Sequence, residues 1–369
     1  MPLYQFADSS ETVFDCQIDI HKNIGLSSKL QIETRIDKID IQAWDAFVIN
    51  NPHGNIYQMS DMYRLFESVK NFRPYILVAY DGERILGVLL AVVIREFGGP
   101  FGYFSSRTVI YGGPVLDENC KKEEVLKRLL EKLVNSLSKK SVFVQFRNFR
   151  DWSTYKSIFE NAGFEFFERL NFIVNTSDKE KTWRRISESK RRQIRKALKS
   201  GAKIIEPSDI KQVKEFYRIL HDLYKNKVRK PLPKWSFFKN FYLLSNKSRL
   251  GVIKLIAFEG KIIGGIVAPI FSDQVIYEWY ICGLDYEYKH LHPSTLATWA
   301  AIEYGIENGV RTFDFMGVGV PDRDYGVREF KAKFGGELTN YGRFGRINNR
   351  FIYSITEIGF NFLALLKKI

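Results

Sequence analysis

Cysteine is scarce: the 369 residues hold three, Cys16, Cys120 and Cys282, far apart and without a histidine pair beside them. That spacing excludes a disulfide framework, a zinc knuckle and an iron–sulfur site, and it predicts a reducing compartment, the cytoplasm. Long hydrophobic runs are missing too. The longest, Ile85 to Ile94, is about half of what a membrane span needs, and no signal-peptide pattern opens the chain. The expectation is a cytoplasmic protein with no transmembrane segment, at most in peripheral contact with the inner face of the membrane. His290 and His292 stand beside Pro293 with no spaced carboxylate, and His221 is remote, so no metal is expected. No Ser–His–Asp order or paired-carboxylate hydrolase pattern is present, and Gly317-Val318-Gly319-Val320 is too incomplete for a dinucleotide fingerprint.

What the chain does have is size, apolar content and positive charge. Its length suggests two domains, and 45% apolar residues suffice for two cores. A net charge of +14 predicts attraction to phosphates, anionic lipid or nucleic acid. A long-period repeat organises the rest. Val78 to Gly87 reads as strand, Asp-Gly turn, strand, and Ile256 to Gly264 reads the same way around Glu259-Gly260. Each hairpin is followed by a strand (Val109-Ile110-Tyr111; Val275-Ile276-Tyr277), a helix-patterned stretch (Val125 to Leu137; Leu296 to Tyr304) and a strand (Val142 to Phe146; Thr312 to Met316).

Between the copies, Lys179 to Lys203 carries eleven basic residues against Glu180 and Glu188. Trp183, Ile186, Ile194, Ala197 and Leu198 form an apolar stripe, predicting one amphipathic helix over 179–200, capped by Ser177-Asp178 and stopped at Gly201. Two readings of its basic face stand open: a contact for a polyanion or a solvated surface. Apolar residues from Phe351 to Ile369 recur at three- and four-residue spacing, predicting a C-terminal helix over 345–369.

Four stretches in order carry a resemblance. Gly112-Gly113-Pro114-Val115-Leu116-Asp117 is similar to a Gly-Pro-Val-x-Asp loop, and Lys190-Arg191-Arg192-Gln193-Ile194-Arg195-Lys196-Ala197 to a basic helix opening a second lobe. Phe313-Asp314-Phe315-Met316-Gly317 resembles a Phe-Asp-φ-x-Gly strand end, and Gly326 to Gly336 resembles a Gly-φ-x-x-Phe-Lys-x-x-Phe-Gly signature. Together with the repeated order, they resemble the Fem-type peptidyltransferases, which carry two GNAT-like acyltransferase lobes. The resemblance implies an α/β (α+β) fold in which each lobe is a mixed twisted sheet flanked by helices. It places the first lobe at 1–168, completed by 345–369 returning to pack on it, and the second at 169–344. The span from Gly201 to Leu250 is too short and too interrupted by Pro231 and Pro233 for the coiled-coil arm of some members. A Trp-x-x-Val-Lys pattern of some members is replaced by Tyr63-Arg64-Leu65-Phe66.

Acyl transfer to an amine needs positioning and positive charge where the oxyanion forms. Lys331 is the candidate for that charge, with Phe330 shaping the pocket; the competing reading is a solvated lysine. Asp314 points either into a cleft at the strand end or into a loop clasp. Asp117 either receives the acceptor or caps a helix. Tyr277, Trp279 and Tyr280 put aromatic groups on both faces of one strand, so at least one is expected to line a groove, and Tyr277 and Tyr280 are the candidate substrate-binding residues there. Lys190, Arg191 and Arg195 are the candidate substrate-binding residues of the basic helix. The coenzyme A pyrophosphate loop of GNAT enzymes would fall at Lys289 to Thr295, which lacks its glycines and contains Pro293.

No bound cofactor is expected. The resemblance implies an aminoacyltransferase that takes its acyl group from aminoacyl-tRNA and delivers it to an amine of a peptidoglycan or related cell-envelope precursor, nucleotide- or lipid-linked. The alternative is an acyl-CoA-dependent N-acyltransferase acting on an amino sugar or polysaccharide precursor. A third reading is an inert module that binds anionic glycans or nucleic acid and would tolerate loss of Lys331.

Overall fold

The computed structural model describes residues 30–96, 99–248, 250–323 and 325–355. Two eight-stranded mixed sheets form, one per repeat. The strands of the first half are β1 (Gln31–Glu33), β2 (Phe72–Asp81), β3 (Arg84–Arg95), β4 (Ser106–Tyr111), β5 (Val115–Leu116), β6 (Phe143–Arg147), β7 (Glu165–Phe167) and β8 (Asn171–Asn175). Those of the second are β9 (Lys203–Ile205), β10 (Gly251–Phe258), β11 (Lys261–Phe271), β12 (Val275–Tyr277), β13 (Tyr280–Gly283), β14 (Thr312–Asp314), β15 (Glu337–Thr339) and β16 (Arg343–Ile347), with β8 pairing in the second sheet and β16 in the first. The helices are α1 (Ile41–Ile49), α2 (Ser60–Glu67), α3 (Lys122–Leu137), α4 (Lys156–Asn161), α5 (Lys179–Arg185), α6 (Glu188–Lys199), α7 (Ile210–Leu223), α8 (Trp235–Ser245), α9 (Pro293–Glu307) and α10 (Gly326–Ala332).

The repeat read from the residues is present in detail. Hairpins β2–β3 and β10–β11 are antiparallel, and each has a register shift just before its turn, at Ala79/Tyr80 and Ile256/Ala257. Glu259 and Gly260 both have positive φ, the backbone that a tight hairpin turn requires. β4 then pairs parallel with β6, and β12 parallel with β14, with α3 and α9 as the crossovers. α3 buries Val125, Leu126, Leu129, Leu130, Leu133 and Leu137 along one stripe, each side chain contributing about 1.5–3 kcal/mol.

Each sheet also breaks one strand at the same place. β4 and β5 both pair with β3, interrupted by residues 112–114, while β12 and β13 both pair with β11, interrupted by Glu278-Trp279. At the second break the Glu278 N–H turns to the carbonyl of Asp314 (2.8 Å), and the Trp279 N–H to that of Val267 (3.1 Å). The break aims consecutive side chains at a cleft instead of along a ladder. A single hydrophobic cluster runs through both lobes, joining Tyr57, Phe66 and Phe72 to Phe237, Phe241 and Tyr277. Trp279 lies in it, with ring centroids 5.2 Å from Tyr57 and 5.0 Å from Phe237.

Two expectations are corrected. The basic segment is two helices, because Ile186 leaves the helical path with extended backbone and Ser187 starts α6 by accepting from the Lys190 N–H (3.4 Å). Gly335, at φ +78, packs where a Cβ would lie 2.4 Å from the Arg185 carbonyl, so the Phe-Gly-Gly end of the signature docks at this break. The C-terminal segment does return to the first sheet, but not as a helix from 345: β16 inserts between β6 and β7, and helical backbone begins at 350. Tyr353 packs on Phe143 at 5.7 Å. The remainder of that predicted helix, 356–369, and the peripheral membrane contact it would make lie outside the described residues. Among the described residues, no helix is long and apolar enough to cross a membrane.

Candidate active site

A cleft of about 1640 Å³ opens between the lobes. Its walls come from β4, β6 and β16 on one side, and from α6, β13, the start of α9, the loop after β14 and α10 on the other. Nine lysine and arginine side chains line it against three carboxylates, Glu96, Glu278 and Asp285. Each carboxylate is engaged: Glu96 with Arg107 (2.8 Å), Glu278 with Lys331 (2.7 Å) and Asp285 with Ser294. The open charge of the cleft is therefore positive.

Lys331 and Phe330, adjacent on α10, both reach the cleft. Two residues of the signature stitch α10 to the loop after β14. Arg328 donates from Nε to the Val318 carbonyl (3.1 Å) and from Nη1 to that of Pro321 (3.1 Å). Lys331 Nζ donates to the carbonyls of Phe315 (2.8 Å) and Gly317 (3.3 Å) and meets Glu278 Oε1 at 2.7 Å. Three donors thus have three acceptors, and only 9% of the residue is exposed. The ammonium is neither solvated nor free to bind an oxyanion alone; it fixes Glu278 and the loop.

Glu278 was missed in the sequence. Its signal was present, an acid inside the aromatic strand Tyr277-Glu278-Trp279-Tyr280. Burial pushes its carboxyl above the usual range, Lys331 pulls it down, and Asp314 adds to the rise. Its Oε2 is buried with no hydrogen-bond partner, which leaves one basic lone-pair oxygen unused.

The other candidates divide. Tyr280 lines the cleft and Tyr277 does not: its ring is buried against Tyr57 (5.2 Å) and Phe149 (5.1 Å). Asp314 is the Cα partner of Tyr277 in the parallel ladder, and both reach a separate cavity of about 330 Å³. Its carboxylate accepts from Asn171 Nδ2 (2.8 Å) and the Met316 N–H (2.6 Å), so the clasp reading describes it. Asp117 lies outside both cavities. It accepts from Arg84 Nε (3.0 Å) and from the Asn119 N–H (2.9 Å), at the turn before α3.

On α6, Lys190 and Gln193 face the cleft, Ile194 and Ala197 face the core, and Arg191 and Arg195 do not line the cleft. At about 100° per residue, Arg191 and Arg195 lie about 100° and about 140° around the helix from Lys190, which carries them off the cleft side. Lys190 is buried, donates to Thr295 Oγ1 (2.8 Å) and sits 4.0 Å over the Phe330 ring. Burial, with Lys333 nearby, lowers its pKa to about 8. Between pH 8 and the free-lysine value the unfolded chain binds more protons than the folded one, so this group makes stability rise with pH there. Lys190→Met should remove that rise. In urea unfolding at pH 7 and at pH 9.5, wild type is expected to gain about 2 kcal/mol relative to the variant; an equal response of the two would show Lys190 to be solvated.

The start of α9 has its own arrangement. Pro293 occupies the first turn, the Ser294 N–H donates to Asp285 Oδ1 (3.2 Å), and the Ser294 hydroxyl bonds Asp285 Oδ2. A carboxylate thus sits where a helix N-terminus would receive an anion. Among the described residues, no group of three or more His, Cys, Asp or Glu is placed to hold a metal.

Residues 184–332 match the acetyltransferase (GNAT) domain family. No curated protein matches the chain. Among solved structures, the chain is similar to FemX at a TM-score of 0.66 and 17% identity, over 88% of this chain and 99% of that one. It is similar to L-PGS from Bacillus licheniformis at 0.55 and 13%, over 86% and 96%. A tandem GNAT protein from the clavulanic acid biosynthesis pathway matches at 0.55 and 10%, over 87% and 99%. These likenesses establish the tandem GNAT fold without a coiled-coil arm.

Proposed function

Proceeding from a Fem-like tandem GNAT acyltransferase, we propose that this protein transfers an aminoacyl group from aminoacyl-tRNA to an amine of a cell-envelope precursor, in the cytoplasm. The observation that carries the choice of donor is Asp285 bonded to Ser294 at the start of α9. Coenzyme A needs free amides at that helix end for its pyrophosphate, and a fixed carboxylate repels it. The first-lobe counterpart is no better, because Asp117 and Glu118 precede α3. A basic cleft suits a polyanionic donor. The fold shared with the C-terminal domain of a putative lysylphosphatidylglycerol synthetase from Agrobacterium fabrum (TM-score 0.53, 13% identity, 86% of this chain and 94% of that one) fits delivery of an aminoacyl group to an envelope molecule.

In this reading the acceptor amine enters beside Glu278, whose Oε2 removes its proton as nitrogen attacks the ester carbonyl. Lys331 holds Glu278 in position and keeps positive charge within the site. The Tyr280 hydroxyl, kept protonated by burial, offers a donor to the developing oxyanion. When the tetrahedral intermediate collapses, the C–O bond to the terminal ribose breaks and the proton returns to that hydroxyl. Phe330 closes the pocket under Lys190.

The test compares donors. Supplied with total cellular tRNA charged with labelled amino acids and an extract of envelope precursors, the protein should move label to the precursor fraction. Acyl-CoA thioesters should release no thiol under the same conditions. Thiol release without tRNA-dependent labelling would establish the coenzyme A alternative. Binding of charged tRNA should weaken on the order of 100-fold between 50 and 200 mM salt, for about four phosphate contacts.

A further inference from the structure

Three arginines at the first-lobe end of the cleft have no role in the chemistry above. Arg147 on β6 and Arg343 on β16 are directly opposed Cα partners in an antiparallel ladder. Like charges so placed repel at short range, an arrangement that a fold has no reason to adopt for its own stability. Their strand neighbours Phe146 and Phe344 point to the other side of the sheet, into the first-lobe core, which leaves both guanidiniums on the cleft face. Arg169, from the connection between β7 and β8, joins them along the cleft lining.

Neutral groups alone hold this cluster. Gln145 Oε1 accepts from Arg147 Nε (3.2 Å) and from Arg343 Nη1 (3.2 Å), and Arg147 Nη1 reaches the Tyr111 hydroxyl (3.4 Å). Among the described residues, no carboxylate lies within salt-bridge distance of Arg147, Arg169 or Arg343, whereas the neighbouring Arg107 has Glu96 at 2.8 Å. Burial, then Arg147 and Arg169, push the Arg343 guanidinium down to about 9. An arginine is the hardest cation to discharge, so a cluster held apart from carboxylates is organised for an anion that arrives from outside.

We propose that Arg147, Arg169 and Arg343 form a diphosphate-binding subsite, which holds the phosphate-bearing part of a cleft ligand away from the reacting acyl group. Three planar forks match the several oxygens of a diphosphate, where one carboxylate would satisfy only one of them. The size of the cleft agrees, since about 1640 Å³ exceeds what an aminoacyl ester and an amine fill. The subsite rests on the cleft being a substrate cleft, but not on which donor reacts there. A diphosphate can arrive on a nucleotide-linked acceptor or on coenzyme A, and the test separates the two.

Calorimetric titration with inorganic pyrophosphate is expected to show one site on the full chain. Arg147→Gln and Arg343→Gln should each weaken it about 10-fold or more, while Arg128→Gln, a loss of equal charge on the exposed face of α3, leaves it unchanged. Arg343→Lys keeps the charge but not the fork, and should bind between wild type and Arg343→Gln; this variant covers the case in which the glutamine does not fold. Competition by uridine diphosphate assigns the site to a nucleotide-linked acceptor, competition by coenzyme A assigns it to a donor, and either supports the subsite. Absence of pyrophosphate binding at millimolar concentration, or an equal loss in Arg128→Gln, overturns it. Because no turnover is measured, a failed transfer assay leaves this result standing, and the reverse holds as well.

Discussion

Glu278→Gln is expected to lower kcat by about 10²–10⁴-fold, the usual contribution of a positioned proton acceptor. The substitution keeps the shape of the side chain and one acceptor oxygen for Lys331, so the loss should appear without unfolding. The pH profile carries the sharper information. Burial raises the Glu278 carboxyl above the ordinary glutamate range, and only the ionised form accepts a proton. Activity of wild type should therefore fall as pH drops through this raised value. In Glu278→Gln the residual activity should lose that acid limb. A variant with full kcat, or with an unchanged acid limb, would remove Glu278 from the chemistry.

Lys331→Met is expected to cost about 3–5 kcal/mol of folding stability, as breaking a buried ion pair generally does. The ammonium has three acceptors, and its removal leaves the Glu278 carboxylate and the Phe315 and Gly317 carbonyls without their donor. An exposed lysine on the same motif is the control: Lys333→Met should lie within about 0.5 kcal/mol of wild type. The double variant Glu278→Gln/Lys331→Met removes both charges. It should recover on the order of 1–3 kcal/mol relative to the sum of the single losses, measured by urea unfolding as a double-mutant cycle. Additive losses, or a Lys331→Met variant as stable as wild type, would show that the pair is not a structural unit. This outcome also distinguishes two roles for the lysine. A catalytic charge would change kcat at constant stability, whereas a positioning residue changes both.

The parts of the site that could be read along the chain are those made by neighbours in sequence. The two hairpins announce themselves because an acid-Gly pair at Asp81-Gly82 and Glu259-Gly260 sits between β-rich apolar runs, and turn chemistry acts over four residues. The stripe from Val125 to Leu137 specifies α3 for the same reason. The signature from Gly326 to Gly336 marked Phe330 and Lys331 as cleft residues. The break in the basic segment was also local: Ser187, three before Lys190, is a cap in the middle of a helical pattern, and its signal was outweighed by the run of positive charge.

The misses are of another kind. β16 is five residues with two glancing apolar positions, and it is a strand because β6, about 200 residues earlier, offers it a ladder. Asp117 and Asp314 looked alike as acids near glycines, yet Arg84 takes one, while Asn171 and the Met316 amide take the other. Nothing near Tyr277 or Tyr280 says which ring meets the cleft, since the interruption at Glu278-Trp279 resets the alternation between them.

By itself the sequence determined a doubled hairpin–strand–helix–strand order and a basic chain, because backbone preference, turn chemistry and apolar period act between near neighbours. Only the tertiary structure decided that Glu278 meets Lys331 across 53 positions, that Asp285 closes the start of α9, and that Arg147 and Arg343 face one cleft. Charge and hydrogen-bond energies depend on distance and burial, and neither exists until the two sheets have packed.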